Sequence, residues 1–98
     1  MIFNVDDYQI VRAEDRLPGG GMPLAEAAMY CQFLDEDGYR TWRLPTTKEL
    51  YVILADQLQR EQKRDVRDLE LHYWALDDLN KSTVYPNTHH WVWPVREV

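Results

Sequence analysis

The chain of 98 residues is 45% hydrophobic and 29% charged, and its 17 acidic and 11 basic residues give a formal net charge of −6. This composition excludes a disordered tail, and the length fits one domain, placed at residues 1–98. The negative charge disfavours direct binding of nucleic acid, because the phosphate backbone has the same sign.

The chain is predicted to begin with a strand and a loop. Residues 1–13 are β-prone, with Tyr8 and Ile10 on one face and Gln9 and Val11 on the other, and they predict one half-buried strand. The run LPGGG at 17–21 predicts a loop, because glycine accepts positive φ and proline cannot continue a strand ladder.

A first helix is predicted from Pro23, since helices accept proline in their first turn. Gly38 is predicted to end this helix as a C-terminal cap. The residues that recur at helical spacing are Leu24, Ala27, Ala28, Cys31 and Leu34.

The stretch TWRLPTTKEL at 41–50 predicts the change from a strand to a second helix. Residues 41–43 are expected to be extended, and Pro45 keeps Leu44 out of the α region. Thr46 and Glu49 form the S/T-x-x-E capping box that begins a helix. The apolar side of this helix is predicted to hold Leu50, Ile53, Leu54 and Leu58.

Beyond that apolar side, residues 57–70 are almost entirely polar, and both an exposed helix and a loop remain open for them. Residues 73–76 are aromatic-rich, 77–81 read as a turn, and 83–85 predict another strand. Trp91, Trp93 and Val95 alternate in a predicted final strand. Strands at both ends with helices between them predict that the termini pair in one sheet.

Several segments in chain order carry a family resemblance. They are AxxYCxxL at 27–34, a glycine, WRLPTxxEL at 42–50, YW at 73–74 and PVR at 94–96. In this order they resemble the bacterial and phage domains grouped around the C-terminal domain of Legionella collagen-like protein. Those domains are similar to the formylglycine-generating-enzyme branch of the C-type lectin fold.

The resemblance implies an α+β, C-type-lectin-like domain, with a twisted antiparallel sheet, two helices and adjacent N- and C-terminal strands. It implies that Trp42 lies in the core, that Arg43 and Glu49 orient the strand-to-helix corner, and that Tyr73 and Trp74 pack a central strand. The matched residues with structural roles are Trp42, Arg43, Pro45, Thr46, Glu49, Tyr73, Trp74 and Arg96.

The resemblance also bears on ligands. Calcium-dependent lectins carry an acid-Pro-Asn or related triplet and a Trp-Asn-Asp segment, whereas this chain has YPN at 85–87 and WVW at 91–93. These strings lack the oxygen ligands that calcium requires. Oxidising enzymes of the fold use a cysteine pair, which Cys31 alone cannot supply. Carbohydrate is therefore less favoured than a protein partner.

Metal and catalytic chemistry are not predicted. His72, His89, His90 and Cys31 are the zinc-type ligands, but His89 and His90 would point to opposite faces of a strand. The G-x-S-x-G, phosphate-loop and H-E-x-x-H motifs are absent from the sequence. We predict no metal, no cofactor and no enzyme, and a small enzyme of unknown reaction is the third choice of function.

Location follows from two features. A single cysteine, Cys31, excludes an intramolecular disulfide and points to a reducing compartment. The first eleven residues do not resemble a signal peptide, and no run approaches the ~20 apolar residues of a membrane span. The sequence predicts a cytoplasmic protein with no membrane partner.

The first functional hypothesis is a non-catalytic binding module, encoded by a bacterium or a phage, that binds another protein. Aromatic residues with few rotatable bonds make good interface anchors. The candidate contact residues near the C-terminus are Tyr85, His89, His90 and Trp91.

The second hypothesis is a phage-type inhibitor of a host defence or nucleic-acid-binding protein that acts through an acidic surface. Residues 1–40 carry eight acids against three bases. The candidate residues are Asp35, Glu36 and Asp37. Salt separates the two hypotheses, because an acidic mimic loses its partner as ionic strength rises.

Overall fold

A computed structural model describes residues 2–14, 21–36, 38–61, 72–77 and 87–98. These ranges contain an α+β arrangement of three antiparallel strands and two helices. The elements are β1 (Ile2–Val5), β2 (Tyr8–Arg12), α1 (Leu24–Phe33), α2 (Thr47–Glu61) and β3 (Val95–Glu97). Most of the loop predicted at 17–21, the strand at 83–85 and most of the turn at 77–81 lie outside the described residues.

The prediction of a single strand over residues 1–13 is wrong, because β1 and β2 form a hairpin. They pair from Ile2 opposite Val11 to Val5 opposite Tyr8, with a two-residue turn between them. Asp6 in the turn has φ 51°, a left-handed conformation that aspartate tolerates better than most residues.

The prediction that the two ends of the chain pair in one sheet is confirmed. The strand order is β1-β2-β3, and β3 runs antiparallel to β2, with Arg12 opposite Val95. On its other side Val95 exchanges two backbone hydrogen bonds with Arg43, at 2.8 and 2.9 Å. The stretch that precedes α2 is thereby attached directly to the sheet.

The final strand is shorter than predicted. Trp91 forms an isolated parallel bridge with Tyr73, and the regular strand begins at Val95. Burial does not alternate along this segment, because Val92 and Trp93 are both buried. The two side chains belong to different core clusters, so the segment passes between them.

Helix α1 begins at Leu24 with Pro23 at its N-cap position, and it ends at Phe33. The predicted end at Gly38 is wrong, because the backbone of Leu34 is already extended. Gly38 instead has φ 79° in a turn between Glu36 and Tyr39. Ala28 is exposed, so it does not belong to the buried side of the helix.

Helix α2 begins directly after Thr46, and the predicted capping box is present. The Thr46 N–H donates to Glu49 Oε1 at 2.9 Å, and the Glu49 N–H donates to Thr46 Oγ1 at 3.2 Å. The helix continues to Glu61, which includes the first part of the polar segment. No helix in the described part of the chain is both long and apolar enough to cross a membrane.

The core has two clusters of buried side chains. The larger joins the sheet to α2 and includes Trp42 and the α2 residues Leu50, Ile53 and Leu54. The smaller holds α1 in place and consists of Ala27, Cys31, Leu44, Trp74 and Val92. The strand-to-helix stretch connects the clusters, because Trp42 belongs to one and Leu44 to the other.

Candidate functional site

Helix α1 carries apolar residues on two faces. The buried face includes Ala27 and Cys31, which lie in the smaller cluster. On the other side, a row at i, i+3, i+4, i+7 and i+8 spacing faces a groove, and we call it the outer face of α1. It consists of Glu26, Met29, Tyr30 and Phe33 of the helix and of Leu34, the residue that follows the helix end.

The outer face leaves large apolar side chains on the surface. Phe33 is 74% exposed and Met29 is 56% exposed. A surface helix normally presents polar residues opposite its buried side, so two apolar faces are unusual. Contiguous exposed apolar surface is typical of a contact site for another molecule.

The groove along this face has a volume of about 360 Å³, and Asp35 also lines it. Tyr30 packs against the smaller core cluster and Leu34 against the larger one, so both clusters support the groove. Among its described lining residues, Glu26 and Asp35 are charged and none is basic. The groove is therefore apolar along its length and acidic at two points.

The candidate contact residues near the C-terminus are placed differently from one another. His89 is exposed. His90 forms a backbone bridge with Met22, and its ring lies 4.6 Å from the ring of Trp74. Trp91 is half-buried, with its ring 5.5 Å from that of Tyr73. Tyr85 lies outside the described residues.

The predicted acidic residues have partners within the chain where they are described. Asp35 is 3.2 Å from Arg40 in an exposed ion pair. The carboxylate of Glu36 accepts a hydrogen bond from the Glu14 N–H at 3.1 Å. Asp37 lies outside the described residues. Of this group, Asp35 also belongs to the lining of the groove.

The densest polar arrangement is a corner formed by Tyr8, Arg43, Thr46 and Glu49. Arg43 binds Glu49 with two hydrogen bonds of 2.7 and 2.8 Å, and the Tyr8 hydroxyl donates to Glu49 Oε2 at 2.7 Å. With the Thr46 N–H, each carboxylate oxygen accepts two hydrogen bonds. Glu49 itself has no exposure to solvent.

The corner holds its carboxylate ionised. Burial raises the pKa of Glu49, but the hydrogen bonds from Arg43, Thr46 and Tyr8 outweigh burial and lower that pKa to about 2. The hydrogen bond to Glu49 raises the pKa of Tyr8 to about 12. A carboxylate with four donors and so low a pKa is suited to a structural ion pair and poorly suited to proton transfer.

The buried tryptophans have structural partners. Trp42, Trp74 and Trp93 each donate their indole N–H to a backbone carbonyl, at 3.0, 2.6 and 2.8 Å. Trp74 and Tyr73 are buried, but they lie at an isolated bridge and not in a central strand as predicted. The Arg96 guanidinium stacks 3.5 Å from the centre of the Tyr39 ring.

The described ranges contain no group of three or more His, Cys, Asp or Glu residues placed to hold a metal ion. Cys31 is buried, and its burial raises the pKa of the thiol to about 12. A thiol with this pKa stays protonated at neutral pH and is a poor nucleophile or metal ligand.

Met29, Tyr30 and Phe33 are not among the residues predicted from sequence. The available signal was the spacing of Met29 and Phe33 on the side of α1 opposite Ala27 and Cys31, with Tyr30 between the two sides. Local spacing alone does not decide which of two apolar sides a fold buries.

No family model, curated protein or solved structure matches this chain. Its function is therefore inferred from the surface chemistry of the described residues.

Proposed function

We propose that this protein is a non-catalytic binding module that binds another protein through the outer face of α1. The exposure of Phe33 at the groove carries the proposal. Burying a phenylalanine side chain contributes about 1.5–3 kcal/mol, which a partner gains by covering it. Met29 beside it adds an adaptable side chain of the kind that is frequent at binding surfaces.

The proposed scaffold is C-type-lectin-like, of the formylglycine-generating-enzyme branch, in a small bacterial or phage-encoded protein. Its support is the pairing of β2 with β3, the two helices, the burial of Trp42 and the Arg43–Glu49 corner. A cytoplasmic location is part of the proposal, because the free thiol of Cys31 suits a reducing compartment.

The alternative function is inhibition of a host protein through an acidic surface. Glu26 and Asp35 at the groove favour it. Asp35 and Glu36, however, already interact with Arg40 and Glu14. The apolar contact is preferred because Phe33, at 74%, has the largest exposed fraction of the large apolar side chains in the described residues.

Capture of a partner from a bacterial lysate on the immobilised full chain tests the proposed function. Phe33→Ser is the groove variant, and Leu76→Ser is the matched control, because Leu76 is 58% exposed and does not line the groove. We expect the wild type and Leu76→Ser to retain the same protein, identified by mass spectrometry. Phe33→Ser should weaken the interaction by about tenfold or more.

Two results would contradict the proposal. One is equal retention by Phe33→Ser and the wild type, which would place the contact elsewhere. The other is the absence of any saturable binding by the wild type. The purified partner can then be titrated at low and high salt, and a complete loss at high salt would favour the acidic inhibitor.

A further inference from the structure

We infer that the segment bound in this groove is an amphipathic helix of a partner protein, with basic residues beside its apolar anchors. The inference rests on the proposed function and adds the chemistry of the partner. It is carried by the spacing of the outer face of α1 and by the sign of the charges around it.

The spacing of the outer face fits a helix. Met29 and Phe33 are one helical turn apart, as are Glu26 and Tyr30, so the row forms ridges of the kind that pack against a second helix. The groove is open to solvent. Amphipathic helices bind such grooves through anchors at i, i+3, i+4 and i+7.

The acidic residues around the groove indicate that the polar face of the partner helix is basic. Glu26 is the sole charged residue of α1, and Asp35 lies just beyond the helix end, where the helix dipole is also negative. The side chains of Asp35 and its partner Arg40 are 51% and 82% exposed, so this pair is weak and Asp35 can attract a second cation. Lysine or arginine near both carboxylates would complement the groove.

The same charges disfavour other occupants. A second copy of the chain would bring the Glu26 and Asp35 carboxylates of two molecules close together. Each copy has a formal net charge of −6, so the long-range interaction is also repulsive. An anionic membrane surface is disfavoured by the same sign.

Three synthetic helical peptides of about 18 residues test the inference. They share one face of leucine and phenylalanine at i, i+3, i+4 and i+7, and their polar faces carry lysine, glutamine or glutamate. Each is titrated into the ¹⁵N-labelled full chain, with amide shifts locating the site and fluorescence anisotropy measuring the dissociation constant.

The double variant Glu26→Gln/Asp35→Asn removes the groove charges. The double variant Asp6→Asn/Asp7→Asn is the charge-matched control at the hairpin turn, away from the groove lining.

We expect the lysine peptide to bind best, with shift changes centred on Met29 and Phe33. Removing the two groove charges should weaken it by about two- to fivefold per charge, while the hairpin control should have a smaller effect. Raising salt from about 0.1 M to about 1 M should reduce the preference for lysine. Phe33→Ser should weaken all three peptides.

Four results would overturn the inference. Equal binding of the three peptides at α1 would remove the basic partner and leave the proposed function intact. Shift changes centred outside α1, or no binding by any peptide, would reject the helix as occupant, while the capture experiment decides the proposed function separately. A wild-type dimer that Phe33→Ser converts to a monomer would assign the groove to a second copy.

Discussion

The Glu49 carboxylate has no solvent exposure, and its charged form depends on hydrogen bonds from the groups around it. Burial alone would favour the neutral acid, but Arg43, Thr46 and Tyr8 supply hydrogen bonds to the charged form. The pKa of Glu49 in the fold is about 2, below the ordinary value of 4.5. A lowered pKa means that the contribution is full above pH 4.5 and is lost as the pH falls toward 2.

Glu49→Gln tests this contribution, because glutamine keeps the size of the side chain and removes its charge. We expect the free energy of unfolding at pH 7 to fall by about 2–4 kcal/mol, since Arg43 loses its buried carboxylate partner and keeps the exposed Glu97, at 3.4 Å. The variant should also lack the part of the acid transition that lies between pH 4.5 and 2. Urea denaturation monitored by circular dichroism at several pH values measures both effects.

Glu26→Gln is the matched control, because Glu26 is exposed and its change should alter stability by less than about 0.5 kcal/mol. Tyr8→Phe removes one of the four hydrogen bonds and should cost less than Glu49→Gln. An acid transition of Glu49→Gln that coincides with that of the wild type would show that Glu49 does not stabilise the ionised fold.

Three of the four residues of this corner were expected from sequence: Thr46 and Glu49 from the capping box, and Arg43 from the family resemblance. Thr46 and Glu49 are three residues apart, and their reciprocal capping depends on local geometry alone. Tyr8 is 41 residues from Glu49 and reaches it only because β2 lies beside the start of α2. A long-range hydrogen bond of this kind has no local signal, so the fourth donor could not be predicted.

At the scale of the elements, the hairpin of β1 and β2 follows a change in the alternation of buried and exposed residues. Buried residues occupy odd positions at Phe3 and Val5 and the even position at Ile10, so the alternation changes phase across the turn at 6–7. Such a change indicates a hairpin and not a continuous strand. The end of α1 lacked a comparable signal, because the extended conformation of Leu34 depends on tertiary packing.

The two described glycines with positive φ are constrained in different ways, one by backbone conformation alone and one also by contact with another segment. Gly21 has φ 87°, and a Cβ there would lie 2.4 Å from the carbonyl oxygen of His90. Gly38 has φ 79°, and a Cβ there would meet nothing within 4 Å. Both positions disfavour alanine through the backbone, but only Gly21 adds a clash with another segment.

We expect Gly38→Ala to lower the free energy of unfolding by about 1–2 kcal/mol, which is the cost of the left-handed conformation. Gly21→Ala should cost about 1–3 kcal/mol more, because the clash breaks the backbone bridge between Met22 and His90. Chemical denaturation of both variants measures the difference. Equal losses would show that the chain relaxes around Gly21 without breaking the bridge.

At the scale of the whole molecule, the C-terminal segment joins every part of the described fold. Val92 packs against α1, Trp93 belongs to the larger cluster, and Val95 pairs with β2 on one side and Arg43 on the other. The position of α1, and with it that of the outer face, therefore depends in part on the packing of Val92. Pairing of the two chain ends could be predicted from sequence, but this dependence of α1 on Val92 could not.

A chain that ends at Pro94 should lose cooperative folding. It lacks the fully buried Val95, its two hydrogen bonds with Arg43 and the pairing of β3 with β2. Burial of one valine contributes about 1.5–3 kcal/mol and each backbone hydrogen bond about 0.5–1.5 kcal/mol, which together approach the ~5–15 kcal/mol that stabilises a small domain.

Val98→Ser is the control, because its side chain is 67% exposed and its N–H still donates to Gln9. Thermal unfolding by near- and far-ultraviolet circular dichroism should give a sharp transition for Val98→Ser and none for the truncated chain. A truncated chain that unfolds at the wild-type temperature would show that β3 is dispensable and that the smaller cluster, with Leu44, Trp74 and Val92, supports α1 without it.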